Sequence, residues 1–194
     1  LQSQALLRAS QPHAERYFEL LEIEPQVADP KNPIPVPTGT PSVEFRNVTY
    51  RPVNDAILDD VSFRVEAGET VGIVGATGTG KTTLLNLAAR FVDPTEGVVL
   101  YNGVDIRSTR HSDLLRHVSL VSQDAFLFAT EIATNIAYGR PDAGPAEIRG
   151  AAQAACVDAE IDAMEDGFHT RVGLGGRPVS GGQRQRINIA RALL

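Results

Sequence analysis

Short segments in the first half of the chain carry apolar, often β-branched residues at alternating or consecutive positions, and this pattern predicts β-strands. Alternation is clearest at 61–65, where apolar residues alternate with Ser and Arg, as in a strand with one buried face. Residues 71–74 (VGIV) form a continuous apolar run that predicts a short buried strand leading into a glycine-rich loop. The predicted strands are residues 43–50, 61–65, 71–74, 98–101 and 118–121.

A helical pattern appears directly after the glycine-rich loop and dominates the second half of the chain. Pro145 suits the first position of a helix, where its missing N–H has no cost. A glycine-rich passage at 173–176 precedes the last helix, which Ser180 begins. The predicted helices are residues 81–90, 131–138, 146–156, 159–164 and 181–194.

The N-terminal part of the chain predicts a helix followed by a linker. Residues 1–24 have roughly helical spacing, with a kink or a fresh start near Pro12. This helix is either a surface helix on its own domain or a connector from an upstream domain. Six of the twelve prolines fall in residues 25–42, which predicts an extended, semi-rigid linker. We place the main domain at 43–194, with a helical subdomain over about 125–194.

Composition narrows the function classes. A chain of 194 residues is one domain, or one with an appendage, and its net charge of −6 argues against nucleic acid, which usually needs a basic face. A single cysteine, Cys156, excludes an internal disulfide and a Cys-based metal site and fits a reducing environment. No apolar run is long enough to span a membrane, and no secretory signal is visible. The chain begins with Leu1 and its one methionine is Met164, so we expect a piece of a longer protein.

The glycine-rich loop has the spacing G-x-x-x-x-G-K-[ST] of a phosphate-binding loop, between a predicted strand and a predicted helix as that motif requires. Its glycines let backbone N–H groups approach phosphates without Cβ clashes, and the helix adds the positive end of its dipole. Lys81 would place its ammonium against the outer phosphates, and Thr82 would offer its hydroxyl to Mg²⁺. The loop consists of Gly75, Ala76, Thr77, Gly78, Thr79, Gly80, Lys81 and Thr82.

A second motif, Ser180-Gly181-Gly182-Gln183, stands at the start of the last predicted helix. Ser and Gln at this spacing form a capping box, and capping alone would explain both residues. It does not explain the two glycines, because glycine costs up to about 1 kcal/mol in a helix. An anion that approaches the backbone at the helix start is the other interpretation. From the residues alone, both stay open.

Residues 180–193 (SGGQRQRINIARAL) resemble the signature helix of the ATPase domains of ATP-binding cassette (ABC) transporters. The resemblance covers the chain from Val43 to its end. Its other matching segments are 46–50 and 58–63 (opening strands), 121–128 (Q-loop) and 135–139 (exporter branch). Residues 14–21 are similar to the segment that leaves the last membrane helix of an exporter.

The resemblance implies an α/β P-loop NTPase fold (an ABC ATPase) with a small antiparallel β subdomain and a helical insert. It implies the ATP-binding domain of an exporter, which couples ATP binding and hydrolysis to substrate export at the cytoplasmic face of the cell membrane. ATP and Mg²⁺ are the implied cofactors. The implied partners are a second ABC ATPase domain, in a homodimer or heterodimer, and the transmembrane domain of the same transporter. A non-transport ABC-type ATPase, or a degenerate partner that binds ATP without hydrolysis, stays open.

The resemblance also implies residue roles. Tyr50 would stack on adenine, Gln123 would reach the metal and sense the γ-phosphate, and Ser180 would contact the nucleotide held by the partner domain. The implied catalytic residues are Lys81, Gln123 and Ser180, and the implied metal ligands are Thr82 and Gln123. The implied nucleotide-binding residues are Tyr50, Gly75, Ala76, Thr77, Gly78, Thr79, Gly80, Lys81, Thr82, Thr83, Gln123, Ser180, Gly181, Gly182 and Gln183.

The chain departs from the exporter pattern in places. Leu174 stands where the family usually has a glutamate that helps to link the ATPase to its membrane partner, and Val179 replaces a leucine conservatively. The Walker B aspartate, the catalytic glutamate and the switch histidine are not among the 194 residues. We therefore expect this chain alone to be inactive and poorly folded, with an incomplete central sheet that exposes the edge of the 71–74 segment.

Overall fold

The structure is a computed structural model that describes residues 16–18, 21–23, 25–173 and 178–194. It contains two compact units, Leu1–Leu114 and Leu115–Leu194, and each is described by itself. Most of the helix predicted at 1–24, as well as Leu174, lies outside the described residues, although residues 16–18 are helical. The domain boundaries drawn from the sequence stay predictions.

The first unit is built on a four-stranded antiparallel sheet. Its strands are β1 (Val43–Tyr50), β2 (Leu58–Val65), β3 (Glu96–Tyr101) and β4 (Val104–Asp105). They lie in the order β2-β1-β3-β4, and the rings of Phe45 on β1 and Phe63 on β2 stack with centroids 4.6 Å apart. The strands predicted at 43–50, 61–65 and 98–101 are therefore confirmed.

Two segments predicted as strands form none. Residues 71–74 and 118–121 are not paired with any strand in the part of the chain that the structure describes. Val71, Ile73 and Val74 are 46%, 39% and 92% exposed, so the prediction of a buried strand is wrong here. Apolar composition specifies a strand only where a second strand lies alongside and pairs with its N–H and C=O groups.

The glycine-rich loop leads into helix α1 (Lys81–Ala88), which is shorter than the predicted 81–90. Leu87 is fully buried, and the Tyr101 hydroxyl on β3 donates a hydrogen bond to the Ala88 carbonyl. Burial raises the pKa of Tyr101 to about 12. The end of α1 is thus fixed to the sheet. A 3₁₀ turn (Ile106–Ser108) and helix α2 (His111–Leu114) complete the unit.

The proline-rich segment contacts the rest of this unit through a buried arginine that the sequence analysis did not identify. Arg90, just after α1, is 1% exposed, and its guanidinium pairs with Asp93 at 3.1 Å. It also donates to the Ala28 carbonyl at 2.9 Å. The next residue of the segment, Asp29, accepts a 2.7 Å hydrogen bond from the His111 N–H. The predicted linker is therefore anchored where it passes α1 and α2.

The second unit is helical. Its helices are α3 (Ile132–Ile136), α4 (Pro145–Ala154), α5 (Asp158–Asp162) and α6 (Gly181–Leu193), with 3₁₀ turns at Ala137–Gly139 and Gly167–His169. Its fully buried side chains include Ile132, Ile136, Ala152, Val157, Ile161, Ile187 and Ala190. The predicted helices of this half are confirmed, with shorter bounds. Among the described residues, no helix combines the length and the apolar character that crossing a bilayer requires.

A matched pair of glycines tests the β1–β3 pairing. A Cβ at Gly97 would lie 2.1 Å from the Asn47 carbonyl oxygen and 2.5 Å from that of Arg46, whereas a Cβ at Gly103 would meet nothing within 4 Å. Both glycines have positive φ, so Gly103→Ala should cost about 1 kcal/mol from backbone strain alone. Gly97→Ala should cost about 3 kcal/mol, because the clash adds to that strain.

Amide hydrogen exchange of β1 and β3 in the full-length protein measures this difference. Equal opening free energies in the two variants would contradict the close approach of β1 to residue 97.

Candidate functional site

The glycine-rich loop of the first unit ends in a left-handed residue. Gly80 has φ +86° and occupies the N-cap position of α1. A Cβ there would lie 2.7 Å from Leu58 Cδ2 and 3.1 Å from the Ile57 carbonyl oxygen. Gly80 is therefore required both by its backbone conformation and by the close approach of the start of β2.

The start of α1 presents unpaired donors. Within the described part of the chain, the N–H groups of Gly80, Lys81, Thr82 and Thr83 donate to no protein acceptor, and Gly80 supplies no capping side chain. No acidic residue lies in the first turn. Such a helix start offers several N–H donors and a positive dipole end to an anion. The residues present therefore fit a phosphate group.

Lys81 folds back over the loop. Its Nζ donates to the carbonyls of Gly75 at 2.9 Å and Ala76 at 2.6 Å. The Thr79 hydroxyl also donates to the Ala76 carbonyl, at 2.9 Å, and a Cβ at Gly75 would lie 2.8 Å from Thr79 Oγ1. The loop is therefore closed on itself, with the ammonium held at its rim. Residues 75–79 are exposed, which leaves them open to a ligand from solvent.

The remaining predicted nucleotide-binding residues of the first unit lie next to the loop. Thr82 is exposed on the first turn of α1, and Thr83 is half-buried beside it. Tyr50 is half-buried at the end of β1, where it pairs with Leu58 and its carbonyl accepts from the Ile57 N–H at 2.9 Å. Tyr50 and Gly80 thus share Leu58 and Ile57 as neighbours, which brings the predicted adenine and phosphate residues to the same strand end.

The second unit carries the remaining predicted residues. Ser180 is the N-cap of α6: Gln183 N–H donates to Ser180 Oγ at 3.1 Å, and Ser180 N–H donates to Gln183 Oε1 at 2.9 Å. The capping box is therefore present. Gly181 and Gly182 are exposed. A Cβ at Gly181 would meet nothing within 4 Å, and one at Gly182 would meet the flexible end of Arg186 at 3.4 Å and Ser180 Oγ at 4.0 Å. Packing in the described residues thus requires neither glycine.

Gln123 is exposed in a segment without regular secondary structure. Beside it, the Ser122 hydroxyl donates to the Asp124 carbonyl at 2.8 Å. Gln123 and Ser180 belong to the second unit, and the phosphate loop with Tyr50 belongs to the first. Among the described residues, no cluster of three or more His, Cys, Asp or Glu side chains could hold a metal.

Sequence reasoning missed two polar residues of the second unit, Asn135 and Arg191. Asn135 is fully buried between the core residues Ile132 and Ile136, and Arg191 bonds to it. The available signal was the position of Asn135 inside an apolar helical stretch. A buried amide needs hydrogen-bond partners, so this position predicts a polar contact in the core.

Comparison with known proteins identifies relatives over nearly the whole chain. A profile of the family described as "ABC transporter" matches residues 58–194. A multidrug efflux ATP-binding/permease protein of Mycobacterium tuberculosis is 44% identical over 93% of the chain and 15% of its own length. An ATP-dependent lipid A-core flippase of Desulfotalea psychrophila is 42% identical over 93% of the chain and 32% of its own length. The chain therefore spans a third or less of these curated relatives.

A solved structure, that of a bacterial Atm1-family ABC exporter with ATP bound, matches the fold with a TM-score of 0.86 and 39% identity. The match covers 96% of this chain and 33% of that chain. The implied fold class, an ABC ATPase with a small antiparallel sheet and helices, is confirmed.

Substitutions at two glycines of the loop distinguish a role in folding from a role in ligand binding. Gly78→Ala should lower the free energy of unfolding by about 1 kcal/mol, because Gly78 has a φ of +84° and an added Cβ would meet nothing within 4 Å. The same substitution should weaken nucleotide binding at least about tenfold, because the added methyl group would crowd the phosphates. Gly80→Ala should weaken binding and also destabilise the loop, because its Cβ clashes with Leu58. Nucleotide titration and hydrogen exchange in the full-length protein measure both effects. Wild-type affinity in Gly78→Ala would exclude a phosphate at this loop.

Proposed function

The chain belongs to the ABC transporter family, and from this premise we propose that it is an ATP-binding domain of an exporter, in which ATP binding and hydrolysis drive a substrate across a membrane. The observation that carries this proposal is the start of α1, where a left-handed Gly80 leaves several N–H groups without protein acceptors in the described chain. The names of the relatives, which describe multidrug efflux and lipid flipping, support export as the process.

In this proposal the loop holds the phosphates of ATP. The N–H groups from Gly80 onward and the ammonium of Lys81 would bind phosphate oxygens. Lys81 would then donate to a charged phosphate, a stronger acceptor than the Gly75 and Ala76 carbonyls that it contacts in this structure. The Thr82 hydroxyl and the Gln123 amide would hold Mg²⁺, and the bound ion would neutralise part of the negative charge of the phosphates. Tyr50 would cover the adenine with its ring.

A second ATPase domain would complete the site. Ser180, Gly181 and Gly182 would contact the γ-phosphate bound by the partner's loop. Two observations support this: the glycines are exposed, and packing in the described residues requires neither. Capping and anion contact are then compatible, because the Ser180 hydroxyl accepts from Gln183 N–H and can still donate its own hydrogen.

The family supports ATPase activity in general, and hydrolysis at this site is our proposal. Phosphoryl transfer to water needs Mg²⁺ held by a carboxylate and a group that positions the attacking water. Lys81, Gln123 and Ser180 would stabilise the phosphate charge, and we assign the carboxylates to sequence outside these 194 residues. The membrane-spanning partner would likewise lie elsewhere in the protein, as the names of the ATP-binding/permease relatives suggest.

The two lysines of the chain, Lys31 and Lys81, form a matched test of the phosphate loop. Lys81→Ala should weaken ATP binding at least about tenfold, and to below detection where the other contacts are weak, because a charge-assisted contact contributes about 1.5–3 kcal/mol. Lys31→Ala removes the same charge from the exposed proline-rich segment and should leave the affinity unchanged. Calorimetric titration of the full-length protein with ATP measures both. Unchanged affinity in Lys81→Ala would contradict the assignment of the site.

Substitutions at Ser180 separate capping from anion contact. Aspartate and asparagine cap helices as well as serine does, so α6 should keep its start in both variants. Ser180→Asp places a negative charge beside the partner's γ-phosphate and should suppress ATP-driven association of the two domains and ATP hydrolysis. Ser180→Asn, whose side chain has nearly the shape of aspartate without its charge, should retain much more of both. Cross-linking and phosphate release measure these effects, and equal activities would leave capping as the whole role of Ser180.

A further inference from the structure

The guanidinium of Arg191, near the end of α6, connects three segments of the second unit. Its Nε donates to the Asn135 carbonyl at 2.8 Å, and Nη2 donates to Asn135 Oδ1 at 2.9 Å. Its Nη1 donates to the Phe126 carbonyl at 3.1 Å and to Asn188 Oδ1 at 3.2 Å. Helix α6, helix α3 and the chain that follows Gln123 therefore meet at this one side chain.

Asn135 holds the same chain segment from its other side. Its Oδ1 accepts from the Phe128 N–H at 2.9 Å, and its Nδ2 donates to the carbonyls of Phe128 at 3.0 Å and Glu131 at 3.1 Å. Asn135 is fully buried, and all of its hydrogen-bonding capacity is used. Between them, Asn135 and Arg191 fix the backbone at residues 126 and 128.

Aromatic rings cover this contact. The Phe128 and Tyr138 rings stack at 4.2 Å, and the Arg191 guanidinium lies 5.5 Å from the first centroid and 5.9 Å from the second. Burial lowers the pKa of Arg191. In the part of the chain that the structure describes, its hydrogen-bond partners are carbonyl and amide oxygens. These bonds are partly shielded from water, and each is costly to break without replacement.

We propose that Arg191 is a positioning residue of the ATPase, which fixes the segment carrying Gln123 to the helix that Ser180 begins. The inference rests on the proposed function. Phe126 lies three positions after Gln123, so the backbone of Gln123 stays within about 10 Å of the anchored Phe126 carbonyl. Gln123 itself lies in a segment without regular structure, so this anchor limits where its amide can go. Gln123 and Ser180 then move as one body when the two domains close on ATP.

The competing explanation is that Arg191 only holds helices together. The two explanations differ in what they predict for the chemical step. A residue that acts through Gln123 should change kcat with little effect on ATP affinity, because the hydrogen-bond partners of Arg191 in the described chain are residues 126, 135 and 188 and none belongs to the phosphate loop. Its effect should also disappear once Gln123 has no amide, whereas a helix contact would act independently of Gln123.

The test measures ATP hydrolysis and ATP binding by the full-length protein and by its variants. Arg191→Met should lower kcat about tenfold and leave the ATP affinity within about threefold of wild type. Arg191→Lys keeps the charge and part of the bonding and should lose about threefold in kcat. The control Arg149→Met removes a guanidinium from the same unit, where it pairs with Asp162 at the surface at 2.7 Å, and should leave kcat unchanged.

A double-mutant cycle provides the decisive comparison. Gln123→Ala combined with Arg191→Met should hydrolyse ATP about as slowly as Gln123→Ala alone. Losses that multiply would overturn the inference, as would wild-type kcat in Arg191→Met or equal losses in the Arg149→Met control. Should Arg191→Met fail to fold, Arg191→Lys enters the cycle in its place, and multiplying losses there would overturn the inference equally. Absence of hydrolysis in the wild-type protein would overturn the proposed function together with this inference.

Discussion

Helix α1 can begin where it does because residue 80 has no side chain. The first residue of β2, Leu58, and the preceding Ile57 carbonyl occupy the space that a Cβ would need. The backbone at this position lies in the left-handed region, which turns the chain sharply from the loop into the helix. The N–H groups at the helix start then point away from any protein acceptor in the described chain. An anion-binding geometry follows from a packing constraint between a strand and a glycine.

The local geometry of the glycine-rich loop could be predicted from sequence, whereas its ligand stays a proposal. The spacing of the glycines and Lys81 specifies local backbone geometry, and local geometry depends little on distant partners. The capping box at Ser180 was predictable for the same reason, because its two reciprocal hydrogen bonds join residues three apart. The alternating strand at 61–65 was found because one of its faces packs on the sheet.

Features that depend on a distant partner were predicted wrongly or missed. Residues 71–74 are as apolar as β3, yet they form no strand, because no second strand among the described residues pairs with their N–H and C=O groups. Asn135 and Arg191 lie 56 positions apart, and Arg90 bonds to a carbonyl 62 positions away. The local sequence pattern around these residues does not predict which hydrogen-bond acceptor each side chain will bind. Buried polar contacts of this kind arise from how segments approach one another in three dimensions.

Arg90 connects the proline-rich segment to the chain that follows helix α1. Its guanidinium joins the Ala28 carbonyl of the proline-rich segment to the Thr109 carbonyl, with almost no access for water to replace either bond. The proline-rich segment is therefore held beside the C-terminal end of α1 by bonds that water cannot easily replace. The opposite end of that helix, about 12 Å away at 1.5 Å per residue, is the turn at Gly80. Helix α1 thus connects the anchored proline-rich segment to the glycine-rich loop, so a displacement of either end of the helix would be passed to the other.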